Sequence, residues 1–416
     1  MSAAPRYTGP AELTVRVGAN DELFVRQLFG LAPGTRPAPH LPARVVVDAH
    51  VPMTSGSVLC SIARDAGVPF LIDPETHYLQ DTQHADASWC RVPFGNPNNH
   101  APVDLLSTAA QDALVKAVVD YQVQHGATAV IAPYVHIDRP DSRWPEVQAA
   151  LWHRTAAYVA EAGIHLQVIA VAAVGWRCLH PLRGMPLLAE MWDALADLDP
   201  AEIALAASKV HMGAKPQDRI AELLMVVRDL SRDYKVTMWQ QGLLGEICVV
   251  EGAAGYECGI GWREKCDLQT RKTELREPST GGGYSARPVF ISELGRGVPK
   301  VRLELARTKR RVWARLVCPF PDCCAPAGTD LLGDARRHSV VARVRELEQL
   351  DATHASSWRW NRLTQRALDG INLAHDINAL APASRSMPSI DINTLFAIYV
   401  VANARRSRRA IIRRTA

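Results

Sequence analysis

The chain has 416 residues, 48% of them apolar and 22% charged, a balance that excludes an intrinsically disordered protein and leaves room for one large domain or two to three ordinary ones. Its nine cysteines are too sparse for a disulfide scaffold, and no stretch reaches the roughly 18 uninterrupted apolar residues that cross a bilayer. The opening residues carry no apolar secretion core, so a cytoplasmic protein without membrane contact is expected. The net charge of +4 hides a split: from Arg287 onward 23 Lys and Arg stand against 11 Asp and Glu. Such a split predicts a compact body with a basic extension able to meet a polyanion, a solvated charged surface being the plain alternative.

After an N-terminal segment (1–43), strand-like and helix-like runs alternate. "ARVVVDAH" (43–50) precedes a helical "GSVLCSIARDAG", then comes "PFLIDPETH" (69–77) and a polar loop. "LLSTAAQDALVKAVVDYQVQHG" has helical spacing and stops at Gly126, and "ATAVIAPYVHI" follows as a strand. The cycle repeats through "HLQVIAVAAVGW", "EIALAASKVHM", "KVTMWQQGLL" and "YECGIGW", each with a helix before it, and an eighth strand is placed at "RPVFISEL" after a charged, Gly-rich insertion (263–286). This order predicts an α/β fold, a (β/α)8 barrel over residues 44–299. An open doubly wound sheet is the rival, but no G-x-G-x-x-G follows the first strand.

Residues 300–381 read as a basic insertion, with "KVRLELARTKRRVWARL" as a strand pair or helix and two helices after it. Residues 382–416 read as a linker, an apolar element and the basic tail "RRSRRAIIRR".

A barrel of this kind keeps its chemistry at the C-terminal strand ends. Those ends carry Asp48 and His50, then Asp73, Glu75 and His77, then Tyr134, His136 and Asp138. Trp176, Lys209, His211, Gln240, Gln241 and Glu257 follow. Asp73 suits a base or nucleophile, or else caps the turn at Pro74. His50, His77, His136 and His211, with Asp48 and Glu257, could hold a metal, and Lys209 could form a Schiff base. "CPFPDCC" offers Cys318, Cys323 and Cys324, with His338 and His354 downstream, the donor set of a structural zinc. Lys309, Arg310, Arg311 and Arg315, with the tail at 405–414, would bind phosphates of a nucleic acid.

The order of these pieces resembles the tRNA-guanine transglycosylases of the queuine and archaeosine type and their DNA-modifying relatives. "PFLIDPETHYLQ" is similar to their strand ending in Asp-Ser-Gly-Gly-Phe, and "LLGEICVVEGAAGYECGIGW" to the block leading to their nucleophilic Asp. The resemblance implies a zinc-bearing barrel that exchanges guanine for a 7-deazaguanine in tRNA or DNA. Asp73 would be its general acid/base, Glu257 its nucleophile or charge stabiliser, and Cys318, Cys323, Cys324 and His354 its zinc ligands. Tyr134, Trp176 or Trp239 would stack on an extruded base. Pro74, Glu75 and Thr76 replace the family's Ser-Gly-Gly, and Ile260 stands where its nucleophile falls. A small-molecule lyase, aldolase or metal-dependent hydrolase, and a non-catalytic binding module, are the other readings.

Overall fold

The computed structural model describes residues 7–278, 286–384 and 387–415, and their side chains except at 55–57 and 408–415. Eight parallel strands form the frame: β1 (Glu12–Arg16), β2 (Arg44–Asp48), β3 (Phe70–Asp73), β4 (Ala129–Ile131), β5 (Gln167–Gly175), β6 (Glu202–Ser208), β7 (Val236–Met238) and β8 (Gly255–Gly259). Each pairs with its chain neighbour except across β3 and β4, and β1 closes onto β8 with Thr14 opposite Glu257. At the remaining seam the Thr128 N–H donates to the Phe70 carbonyl at 2.8 Å, and higher up the Thr76 hydroxyl donates to the Tyr134 carbonyl at 2.7 Å. The sheet is therefore a nearly closed (β/α)8 barrel, as the alternation predicts.

Helices α1 (Glu22–Leu28), α2 (Ser57–Asp65), α3 (Thr108–Gln124), α4 (Trp144–Glu161), α5 (Ala189–Leu198), α6 (Pro216–Leu230) and α7 (Gly245–Glu251) link consecutive strands. Local chemistry sets their ends: the Ser107 hydroxyl caps α3 by accepting from Ala110 N at 3.3 Å, and Pro216 opens α6 where its missing N–H costs nothing. At Gly245 a Cβ would come within 2.2 Å of the Tyr256 ring, so only glycine lets α7 lie this close to β8.

Two corrections concern the strands. The eighth barrel strand is β1, inside the segment set aside as N-terminal, and not "RPVFISEL". The latter makes an antiparallel hairpin, β9 (Val289–Ile291) with β10 (Arg296–Val298), off the barrel. β1 escaped notice because only Leu13, Val15 and Val17 face the apolar shell, while Thr14 and Arg16 point to the axis. Parallel strands normally read as apolar runs, and this one alternates.

After β8 the chain forms α8 (Leu268–Glu274), which lies over the barrel mouth against the turn Thr76–Gln80; part of the Gly-rich insertion (279–285) falls outside the described residues. The basic segment is two helices, α9 (Lys300–Arg307) and α10 (Arg310–Leu316), not a strand pair. Then come α11 (Arg336–Asp351), packed on β1 and the hairpin, α12 (Ser356–Asn378), and α13 (Ile392–Thr415), packed on α12 and α6. Among the described residues no helix is long and apolar enough to cross a membrane.

Inside the barrel the side chains form layers. A belt of Val46, Leu71, Ile131, Val171 and Ala204 fills the middle. Below it Arg44 binds Glu202 and donates to the Thr14 hydroxyl at 2.7 Å, closing the floor. Above it sits a second charged layer.

Candidate active site at the barrel mouth

Arg16, at the end of β1, is the hub of that upper layer. Its Nη1 donates to Asp48 Oδ1 at 2.5 Å, its Nη2 to Asp73 Oδ2 at 2.7 Å, and its Nε to Glu257 Oε1 at 2.8 Å. β2 and β3 end with Asp48 and Asp73 in register, and Glu257 stands inward at the middle of β8, two residues before its end, so strand register converges the three. Burial works against the charge on Arg16, but Glu257, Asp73 and Asp48 outweigh it and hold the guanidinium ionised. Sequence reasoning placed Asp48, Asp73 and Glu257 here but missed Arg16; its signal was a lone arginine closing the alternating "ELTVR".

Further groups fix the carboxylates. The Tyr134 hydroxyl donates to Asp73 Oδ1 at 2.9 Å and Trp239 Nε1 to Asp73 Oδ2 at 3.2 Å. Asp73 also accepts from Glu75 N at 3.0 Å, capping the turn. Glu257 Oε2 accepts from Gln240 N at 2.9 Å. Both Glu257 oxygens are thus engaged, which leaves little of the free lone pair a nucleophile requires.

Arg263, just past β8, forks onto Asp48 with both terminal nitrogens and comes within 3.4 Å of Glu75 Oε1. Burial opposes ionisation of Asp48, yet Arg263 and Arg16 together hold its carboxyl well below the usual range. Glu75 has the opposite fate. It is 1% exposed, and burial followed by repulsion from Asp48 pushes its carboxyl up to about 8. Both effects favour its protonated form, against the pull of Arg263.

Strain gathers at the same rim. Glu75, Lys209, Gln240 and Arg263 all have left-handed backbones, with φ of 50°, 60°, 56° and 57°, a conformation that costs non-glycine residues energy and concentrates at functional sites. All four directly follow or lie just beyond barrel strands.

The other predicted residues divide. His77 stacks on Tyr134 at 5.5 Å between centroids, fully buried, with neither ring nitrogen partnered; burial and then Lys272 keep it neutral. His136 is buried and held neutral by burial and Lys272, and Gln80 grips its backbone N–H at 2.6 Å. The amide of Gln240 is buried with its oxygen and nitrogen both unpartnered. Such orphaned groups are rare in folded proteins and mark sites where something else completes the network. Gln241, by contrast, donates to the Ala207 carbonyl at 2.6 Å and is structural.

Trp176 is covered by the Arg219 guanidinium, 3.5 Å from its ring, so it presents no open stacking face there. Lys209 is engaged by Asp267 at 3.5 Å, a setting unlike the dry pocket of a Schiff-base lysine. His211 lies apart, its imidazole pressed down to about 4 by burial and by Lys265.

The histidines do not assemble a metal site. Among the described residues only His50 joins a ligand-like group at the mouth, with Asp48 and Glu75, and Arg263 already holds Asp48. Outside the barrel, Cys318, Cys323 and Cys324 do converge, with ligand atoms within 4.8 Å of one another and of a histidine. That histidine is His338, not His354, which is exposed in the turn between α11 and α12. His338 Nδ1 lies 3.2 Å from Cys324 Sγ and 3.5 Å from Cys323 Sγ, while its Nε2 faces the Phe290 carbonyl at 2.8 Å. Vicinal Cys323 and Cys324 both reach the centre because a turn, not an extended chain, carries them, each N–H donating to the Phe320 carbonyl at 3.0 Å.

Lys309, Arg310 and Arg311 are exposed. Arg315 is not available in the same way, being paired with Glu293 and with Asp376. In the tail, side chains beyond Ser407 lie outside the described residues, and Arg405 is paired with Glu251 at 3.6 Å.

No family model and no curated protein matches the chain. Among solved structures it is similar to orotidine 5'-monophosphate decarboxylase from Sulfolobus solfataricus, with 9% identity over 64% of this chain and 96% of that one, at a TM-score of 0.33. A putative phosphonomutase from Burkholderia cenocepacia J2315 matches with 14% identity over 64% of this chain and 92% of that one, at 0.34. The fold assignment rests on the strand order itself.

Proposed function

We propose that the chain is a barrel enzyme acting on a small molecule by general acid–base chemistry, with Glu75 carrying the proton. The observation that supports it most is Glu75 itself: a buried carboxylic acid raised to about 8, on a left-handed backbone, 3.4 Å from an arginine at the mouth. A proton carrier works best when its affinity lies near the working pH. In this reading Glu75 gives its proton to an oxygen or carbon next to a substrate carbonyl, or takes one from it. Arg16, Asp73 and Glu257 form the fixed wall that excludes water, and Arg263 faces the developing negative charge. Lyases and isomerases share this step.

The test is incorporation of solvent deuterium into a panel of carboxylated and phosphorylated carbonyl compounds, followed by NMR. Label entering at least one compound with the native chain, and not with Glu75→Gln, supports the reading. Equal labelling by both proteins overturns it.

A second reading, base exchange on a nucleic acid, is favoured by the exposed run Lys309 to Arg311 immediately before the thiol cluster. Against it stands Glu257, with both oxygens taken. Binding to tRNA or duplex DNA that weakens steeply with salt would support it, since phosphate contacts release counterions.

The cluster Cys318, Cys323, Cys324 and His338 fits a structural zinc. Its donors are four in number, three thiols on one turn and an imidazole on α11, and the Phe290 carbonyl orients the imidazole from behind. A bound ion there would tie the 318–324 turn to α11.

A further inference from the structure

Beside the mouth lies a cavity of about 620 Å³ between the 261–275 segment and the β9–β10 hairpin. Its wall includes Tyr78 and Arg263, and Arg263 comes within 3.4 Å of Glu75 Oε1, so one lining residue bridges the cavity and the buried acid. Seven charged residues line it, and most are balanced by partners. Arg263 is held by Asp48, Glu264 by Arg343, Asp267 by Lys209, and Arg296 by the carbonyl and carboxylate of Asp391. Lys265, Arg271 and Glu274 are left.

Glu274 is exposed at the rim. Arg271 has a buried terminal nitrogen, Nη1, with no partner. Lys265 is partly buried, and burial, with Arg296 beside it, presses its ammonium toward the neutral form. Lys265 and Arg271 therefore face one cavity whose unpaired carboxylate, Glu274, stands at the exposed rim, while Asp391, already bound to Arg296, also draws on Lys265. A buried donor left open in this way is destabilising, and a complementary ligand removes the penalty.

We propose that this cavity is an oxyanion receptor, in which Lys265 and Arg271 bind a carboxylate or phosphate group of the substrate while its reacting end reaches Glu75. The proposal rests on the acid–base reading of the mouth and adds the substrate class: small anionic carbonyl compounds. The bidentate geometry of Arg271 suits either group, and Lys265 contributes a point charge.

Equilibrium dialysis of the full chain at low ionic strength, with labelled inorganic phosphate in one arm and labelled malonate in the other, tests it. Saturable binding of one anion per chain is expected in at least one arm, and that arm names the group. Arg271→Met and Lys265→Met should each weaken it at least tenfold, Lys265→Met deciding the matter if the other variant does not fold. Glu75→Gln should bind as the native chain does, so loss of turnover in that variant speaks only to the acid–base reading. Absence of saturable binding in both arms, or binding unchanged in the folded variants, overturns the receptor.

Discussion

Arg16 Nε donates to Glu257 Oε1 at 2.8 Å across the seam where β1 meets β8. The same guanidinium also holds Asp48 and Asp73, so three carboxylates lean on one cation. Removing a partner from a buried ion cluster costs more than the cluster contributes, because the remaining charges stay behind in a dry site. Arg16→Met should therefore destabilise the fold by about 3–5 kcal/mol. Arg16→Lys should recover little, having one ammonium for three acceptors. Urea unfolding of the two variants measures this.

Glu75 makes stability depend on pH. Its folded-state proton affinity is raised from the ordinary 4.5 to about 8, so its stabilising effect is fully present below about 4.5 and is lost as the pH rises through about 8. Stability of the native chain should fall over that interval, and Glu75→Gln should flatten the fall. Activity that needs the protonated acid should decline on the same alkaline side. Paired urea titrations across this range, with and without the substitution, give the answer.

Gln240 sits at φ 56° with its side-chain amide unpartnered. Gln240→Gly relieves the backbone and keeps the N–H that Glu257 accepts. The variant should be more stable by about 1 kcal/mol yet less active, if the amide contacts substrate. Melting temperature and turnover moving in opposite directions would show the exchange of stability for function.

For the thiol cluster, elemental analysis should find one zinc per chain, lost in Cys324→Ser and in His338→Ala but kept in His354→Ala. A chelator should lower the melting temperature of the native chain and leave the two metal-free variants unmoved. Retention of zinc in His338→Ala would shift the site elsewhere.

The barrel was legible in the sequence because its outer strand faces are apolar and its helices alternate with them on a regular spacing. Asp48 and Asp73 were legible because a strand's last inward residue is easy to place, and Glu257 because it is the one carboxylate inside an otherwise uncharged strand. What stayed hidden was polar and inward: β1, whose Thr14 and Arg16 made it look like a surface segment, and Arg263, Lys265 and Arg271, which lay in an insertion of mixed charge. The meaning of Arg263 comes from Asp48, 215 residues away in the chain, and a local pattern does not carry that. Order along the chain points to His354 as the fourth ligand; helix α11 turns His338 to the thiols instead.

The two charged layers inside the barrel, Arg44 with Glu202 below and Arg16 with its carboxylates above, also act as a lock on strand alignment. Side chains in a strand alternate faces, so sliding any of β1, β2, β3 or β8 by one residue would turn its charged groups outward into the apolar shell of the helices. Sliding β1 or β2 would break both layers at once, and sliding β3 or β8 the upper one, leaving unpaired ions behind. An all-apolar interior would tolerate such neighbours in energy; this one does not, and the ion pairs select a single alignment out of several that hydrophobic packing alone would accept.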